Sequence, residues 1–225
     1  MTAAELRAVL QEYAGLHGLT EHQVKTILSR IGLPAPAGFL ITAPDEDISE
    51  RALSYPLVAK LSSSKTASKS ELKGVSLGIN NIDELRREVN RLRLIPGAEG
   101  VLVEEMSPRG VEVIIGGIID KQFGPVVMFG LGGVFVELFR DVAFALAPLD
   151  KDGALALVRQ VKGFKLLEGY RGSAPVDKEA LLDMVVTVSD IISTGLAEEI
   201  DLNPVALYPD GAMILDAKMS LKRSG

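Results

Sequence analysis

Two short polar segments near the C-terminal end, Asp201-Leu202-Asn203-Pro204 and Leu215-Asp216-Ala217-Lys218, carry the residues best suited to chemistry. The Asn203 amide oxygen and the Asp216 carboxylate are hard donors, a pair that suits magnesium while water and phosphate oxygens fill its other positions. That pattern points to ATP chemistry, provided the chain brings the two side chains together. One Asn and one Asp are a weak signal alone, and a surface hairpin with polar ends is the competing explanation.

A hairpin is the element that would unite them. Residues 205–208 and 213–215 are apolar runs on either side of Pro209-Asp210-Gly211, whose residues favour tight reversal. Centred there, Asn203 and Asp216 fall roughly opposite, with side chains about 5 to 8 Å apart. A second cluster, Lys60, Lys65, Lys69 and Lys73, lies in one Ser-rich segment. It is either a solvated loop or a patch able to hold a compact polyanion such as ATP.

Composition narrows the classes. The 225 residues can bury a substantial core as one large domain or two intimate lobes, and two lobes are expected. The hydrophobic share is 47% and the mean hydropathy +0.25, yet no run reaches the roughly 18 apolar residues of a membrane span. The start, Met1 to Glu5, lacks the features of a secretory signal, and with no cysteine there is no disulfide framework, so a cytoplasmic location is the default expectation. A net charge of −6 argues against binding to nucleic-acid backbone. The only histidines are His17 and His22, and no Gly-x-Ser-x-Gly elbow occurs, which disfavours a serine hydrolase. His22 is expected on a helix face.

The positioning elements follow from periodicity. Thr20 to Gln23 has capping-box spacing, with Val24, Ile27, Leu28 and Ile31 at helical intervals and Gly32 as the stop. Residues 39–41 are extended and 44–50 form an acidic linker. Strands are expected at 55–60, ending in Lys60, and at 75–79, 101–106, 111–119, 126–129 and 134–138. Helices are expected at 82–92, 150–161 and 177–192. Gly130-Leu131-Gly132-Gly133 is either a tight turn or a loop that lets backbone approach a ligand. Arg171, between two glycines, is either an ordinary surface residue or an anion contact.

In their order along the chain these segments resemble the ATP-grasp fold, specifically the β subunit of ADP-forming acyl-CoA synthetases, relatives of the succinate–CoA ligase β subunit. The resemblance rests on Leu19 to His22, Tyr55 to Lys60, Lys69-Ser70-Glu71 with Gly74-Val75, Val101 to Glu105, Gly110 to Val113, Phe123 to Val126, Phe129 to Glu137, Arg171-Gly172, Asn203-Pro204 and Asp216 to Lys218. It implies an α+β fold of two lobes with mainly antiparallel sheets clasping the nucleotide. The first lobe would be 1–100, with a phosphate-covering loop at 62–76, and the second 101–225, with the adenine hinge and the metal hairpin.

The resemblance further implies an acid–thiol ligase that makes a free acid, CoA and ATP from acyl-CoA, phosphate and ADP. Lys60 would contact phosphates, Glu104, Glu105 and Met106 would form the adenine hinge, and Glu112 would hold the ribose beside Gly132 and Gly133. Asn203 and Asp216 would bind Mg2+, Glu137 would orient the incoming imidazole, and Arg171 would complete the catalytic set. The implied partner is a CoA-binding α subunit carrying a phosphohistidine, in an α2β2 assembly, with no nucleic acid and no membrane involved.

One position departs from that pattern. Where relatives hold a loop histidine, this chain has Ser68 ahead of Lys69-Ser70-Glu71, and Lys73 replaces a glycine common beside Gly74. Serine cannot form the labile phosphoramidate of a histidine carrier. Three readings follow: an active β subunit in which the partner's phosphohistidine reaches ADP directly, an ATP-binding regulatory or assembly subunit with reduced activity, or an ATP-grasp carboxylate ligase using an acyl-phosphate.

Overall fold

A sheet whose inner face repeats every second residue, and a helix whose apolar stripe repeats every three to four, account for each of two units. The computed structural model describes residues 1–16, 18–43, 53–64, 72–133 and 140–222. One unit comprises residues 18–24 and 36–108. Its strands are β1 (Gly38–Ile41), β2 (Leu57–Ser62), β3 (Val75–Ile79) and β4 (Gly100–Glu105), antiparallel in the order β1-β4-β2-β3. Of the helices, α1 spans Ala3–Gln11, α2 Glu21–Arg30 and α3 Ile82–Arg93. The Asn81 side chain caps α3 by accepting from the Glu84 amide at 2.9 Å. Leu85, Val89 and Leu92 then close over Ile41, Leu57, Ala59, Val101 and Val103.

Two expectations shift here. All six residues of β2 are buried and the strand continues to Ser62, so Lys60 lies inside the strand and not at its end. A boundary at 100/101 would cut β4 from the sheet it pairs into on both edges, and the division falls after Pro108.

The other unit contains Lys25–Ala35 and Arg109–Gly225 together with the N-terminal residues. Its strands are β5 (Val111–Asp120), β6 (Gly124–Leu131), β7 (Val142–Leu146), β8 (Ala197–Tyr208), β9 (Gly211–Ile214) and β10 (Ala217–Leu221). They pair antiparallel in the order β10-β8-β5-β6-β7, with β9 also on β8. Helices α4 (Lys151–Val158) and α5 (Lys178–Ser193) follow β7 in the chain. Helix α5 buries Leu181, Val185, Val188 and Ile192. It lies so near β5 that a methyl group on Gly117 would come within 3.4 Å of Val188 and Ile192.

The Asp177 carboxylate caps α5, accepting from the Ala180 amide at 3.0 Å. Asp177→Ala is expected to cost about 1 kcal/mol, read as a lower urea midpoint with an unchanged slope. Helix α4 stops at Val158, short of the expected 161. Beyond it the chain turns, and the buried Asp141 carboxylate accepts from the Lys162 and Gly163 amides at 2.8 and 2.9 Å. A side chain at Gly163 would meet Leu131 at 2.1 Å, which is why glycine stands at that turn. Among the described residues no helix is long and apolar enough to cross a membrane.

Candidate functional site

The β8–β9 hairpin places Asn203 and Asp216 side by side. Tyr208 pairs with Gly211 and Val205 with Ile214 across Pro209-Asp210. Past Ile214 the strands remain joined, with the Asn203 amide donating to the Asp216 carbonyl at 3.1 Å and the Leu215 amide to the Pro204 carbonyl at 3.0 Å. Asn203 is exposed and Asp216 half-buried. One Asp216 oxygen, Oδ1, accepts from the Ala217 amide at 2.9 Å, which orients the carboxylate. The donors fit a hard divalent cation that keeps ligands from outside the protein. Among the described residues no group of three or more His, Cys, Asp or Glu is arranged to hold a metal ion.

Two further features belong to this unit. Asn203 and Asp201 border a trough of about 410 Å³ whose apolar lining includes Ile114, Met128 and Phe144. Burial raises the Asp201 carboxyl above its usual range; Lys218 opposes that effect, and Asp216 and Glu199 add to it. The Gly132 amide donates to the Glu112 carbonyl at 2.7 Å, and a Cβ on Gly132 would fall 2.9 Å from that of Glu112. Gly133 follows with φ +60°. Glu112, Gly132 and Gly133 are therefore brought together, with the Glu112 side chain exposed.

In the other unit, Lys60 is held by carboxylates. Its Nζ lies 2.8 Å from Glu21 Oε1 and 2.8 Å from Glu104 Oε2, with all three side chains no more than 10% exposed. Glu104 thus points its carboxylate at Lys60. The Glu105 carboxylate accepts from the Ser54 amide at 2.7 Å, while the Met106 amide donates to the Pro56 carbonyl at 2.9 Å. Lys73 has φ +50°, the left-handed region that glycine adopts most readily.

Arg171 also has a left-handed backbone, φ +51°, and its guanidinium lies 5.4 Å from the centre of the exposed Tyr170 ring. His22 is half-buried on α2. Ser68, Glu137, His17, Lys65, Lys69, Ser70, Glu71, the acidic segment 44–50 and the strand expected at 134–138 lie outside the described residues.

Two residues that the sequence reasoning missed stand at this chemistry. Glu21 completes the Lys60 cluster, and Lys25, only 5% exposed, donates to the Leu215 carbonyl at 2.8 Å, next to Asp216. Their signal was a conflict of pattern: both fall on the stripe of α2 that also carries the buried Val24 and Leu28.

Residues 10–221 match the family described as an ATP-grasp domain. The chain is 40% identical over 213 residues to the β subunit of acetate–CoA ligase (ADP-forming) I from Pyrococcus furiosus, covering 90% of this chain and 91% of that one. A solved structure of "dinucleotide forming Acetyl-coenzyme A synthetase 1" from Candidatus Korarchaeum cryptofilum, with coenzyme A and Ca-AMPCP, is 40% identical with a TM-score of 0.87, covering 98% of this chain and all of that one. The same enzyme with coenzyme A and Mg-AMPPCP, its phosphohistidine segment pointing towards the nucleotide-binding site, is 39% identical with a TM-score of 0.80 and the same coverage.

Proposed function

Because this chain belongs to the ATP-grasp family, with the β subunits of ADP-forming acetate–CoA ligases, we propose that it passes a phosphoryl group between a histidine of a CoA-binding α subunit and ADP. The P–N bond of the partner's phosphohistidine breaks, a P–O bond to the terminal ADP oxygen forms, and the histidine is released for the next cycle. The observation that carries this reading is the Asn203–Asp216 pairing, a hard-donor pair fixed by the backbone hydrogen bond between the two residues. When bound there, magnesium neutralises phosphate charge and aligns the oxygens.

The chain's own residues do the rest. Lys60 opposes charge on the phosphates, and Glu112 accepts the ribose hydroxyls beside the Gly132-Gly133 turn. The Met106 amide is committed to Pro56, so the carbonyl of Met106 is the hinge atom that accepts from the adenine amino group. Glu104 serves by holding Lys60. Glu137 orients the arriving imidazole and Arg171 meets anionic charge. Mixed with a competent α subunit, the chain should form ATP from acetyl-CoA, ADP and phosphate, and no ATP above either subunit alone would reject the proposal.

Ser68 favours a second reading, a nucleotide-binding regulatory subunit with low turnover. Ser68→His should raise phosphoryl exchange with the same α subunit several-fold if the missing carrier limits flux. An unchanged exchange rate would mean that the partner's histidine reaches ADP directly or that the subunit is regulatory. The ATP-forming assay separates those two.

A further inference from the structure

Asp216 sits in a two-residue corner, Leu215-Asp216, between the end of β9 at Ile214 and the start of β10 at Ala217. On one side the corner is tied to β8: the Leu215 amide donates to the Pro204 carbonyl at 3.0 Å, and the Asp216 carbonyl accepts from the Asn203 amide at 3.1 Å. A second set of ties comes from residues 25–34. The Lys25 ammonium, on a side chain in a residue only 5% exposed, donates to the Leu215 carbonyl at 2.8 Å, and the Ile214 amide donates to the Pro34 carbonyl at 3.0 Å. The Leu215 carbonyl and the Asp216 amide share one planar peptide. Rotation of that plane turns the Asp216 Cα–Cβ bond, so a donor fixed on the carbonyl oxygen also fixes where the carboxylate is aimed.

Resting on the proposed metal pair of Asn203 and Asp216, we propose that Lys25 is a positioning residue for that pair: its ammonium holds the Leu215-Asp216 peptide so that the carboxylate meets the cation without first reorganising. A charged donor at 2.8 Å, with little water to compete, makes a firm hold. The Leu215 carbonyl is not the only group with which Lys25 interacts, and Glu21 stands one turn back on α2, so the positive charge also acts on its surroundings. The two roles have opposite signs. A positive charge near the site repels a divalent cation and attracts metal-free ADP, so deleting the charge alone favours the magnesium complex. Deleting the hold on Asp216 disfavours it.

The test uses the full chain and the ratio of two ADP dissociation constants, with chelator over with magnesium. Lys25→Met keeps nearly the length of the side chain and removes both the donor and the charge. It should lower that ratio by about tenfold or more, the loss expected for an outer partner of a metal ligand. In the nucleotide-free protein the Ala217 amide, which donates to Asp216 Oδ1, should exchange with solvent faster than in the wild type. An unchanged or raised ratio would overturn the proposal, as would an Ala217 amide that exchanges at the wild-type rate. A role confined to stability gives the first of those results, because it lowers the melting temperature and weakens both forms of ADP together. Should Lys25→Met melt too low for measurement, Lys25→Gln, uncharged and one atom shorter, must lower the same ratio. Asp216→Ala tests the underlying pair separately, because a full magnesium response in that variant rejects the metal site whatever Lys25 does.

Discussion

Asp216→Ala is expected to weaken magnesium-dependent ADP binding by about 100-fold, at or above the loss that follows removal of an outer-sphere partner from a metal site. The substitution deletes the charged half of the donor pair, and the Asn203 amide oxygen that remains is a poor sole protein ligand for a cation that sheds water reluctantly. Alanine also removes the acceptor of the Ala217 amide, a local loss of about 1 kcal/mol that has nothing to do with metal. Asp216→Asn separates the two effects by keeping an oxygen near that amide and discarding the charge. It should retain the wild-type melting temperature while losing most of the magnesium response in a titration. Affinity for adenosine, which carries no phosphate, should hold in both variants. A magnesium response equal to that of the wild type in Asp216→Ala would remove the metal from this hairpin.

That hairpin was legible in the sequence because its information is local. Apolar runs on both sides of Pro209-Asp210-Gly211 fix a register, and register alone carries Asn203 to Asp216. The helices at 82–93 and 178–193 were legible for the same reason, each having a polar cap and a regular apolar stripe. Strand β10 and the first half of β8 were not anticipated. Residues 197–202 carry acidic side chains at 198, 199 and 201, and their strand character comes from pairing with β5 and β10. Asp141 was invisible for a related reason, since its two amide donors come from residues 162 and 163. At Glu21 the sequence did hold a clue, a carboxylate on the stripe of a helix that faces inward. Its partner in β2, 39 residues away, could be identified only once the strand was in place.

Lys60→Met is the substitution expected to cost the fold most, about 3 to 5 kcal/mol, because it leaves Glu21 and Glu104 buried without the cation between them. The methionine itself fits, being close in length and apolar inside a strand where all six residues are buried, so lost packing contributes little. The penalty therefore belongs to the two carboxylates that lose the ammonium between them and should be recoverable. Adding Glu21→Gln and Glu104→Gln to Lys60→Met replaces the charges with neutral amides of the same shape and should restore most of the loss in urea unfolding, with the slope unchanged. The triple variant should still bind ADP poorly, since the ammonium that opposes the phosphates is gone. Stability and nucleotide affinity then part company in one set of proteins. A Lys60→Met protein as stable as the wild type would show that the two carboxylates do not depend on the ammonium between them.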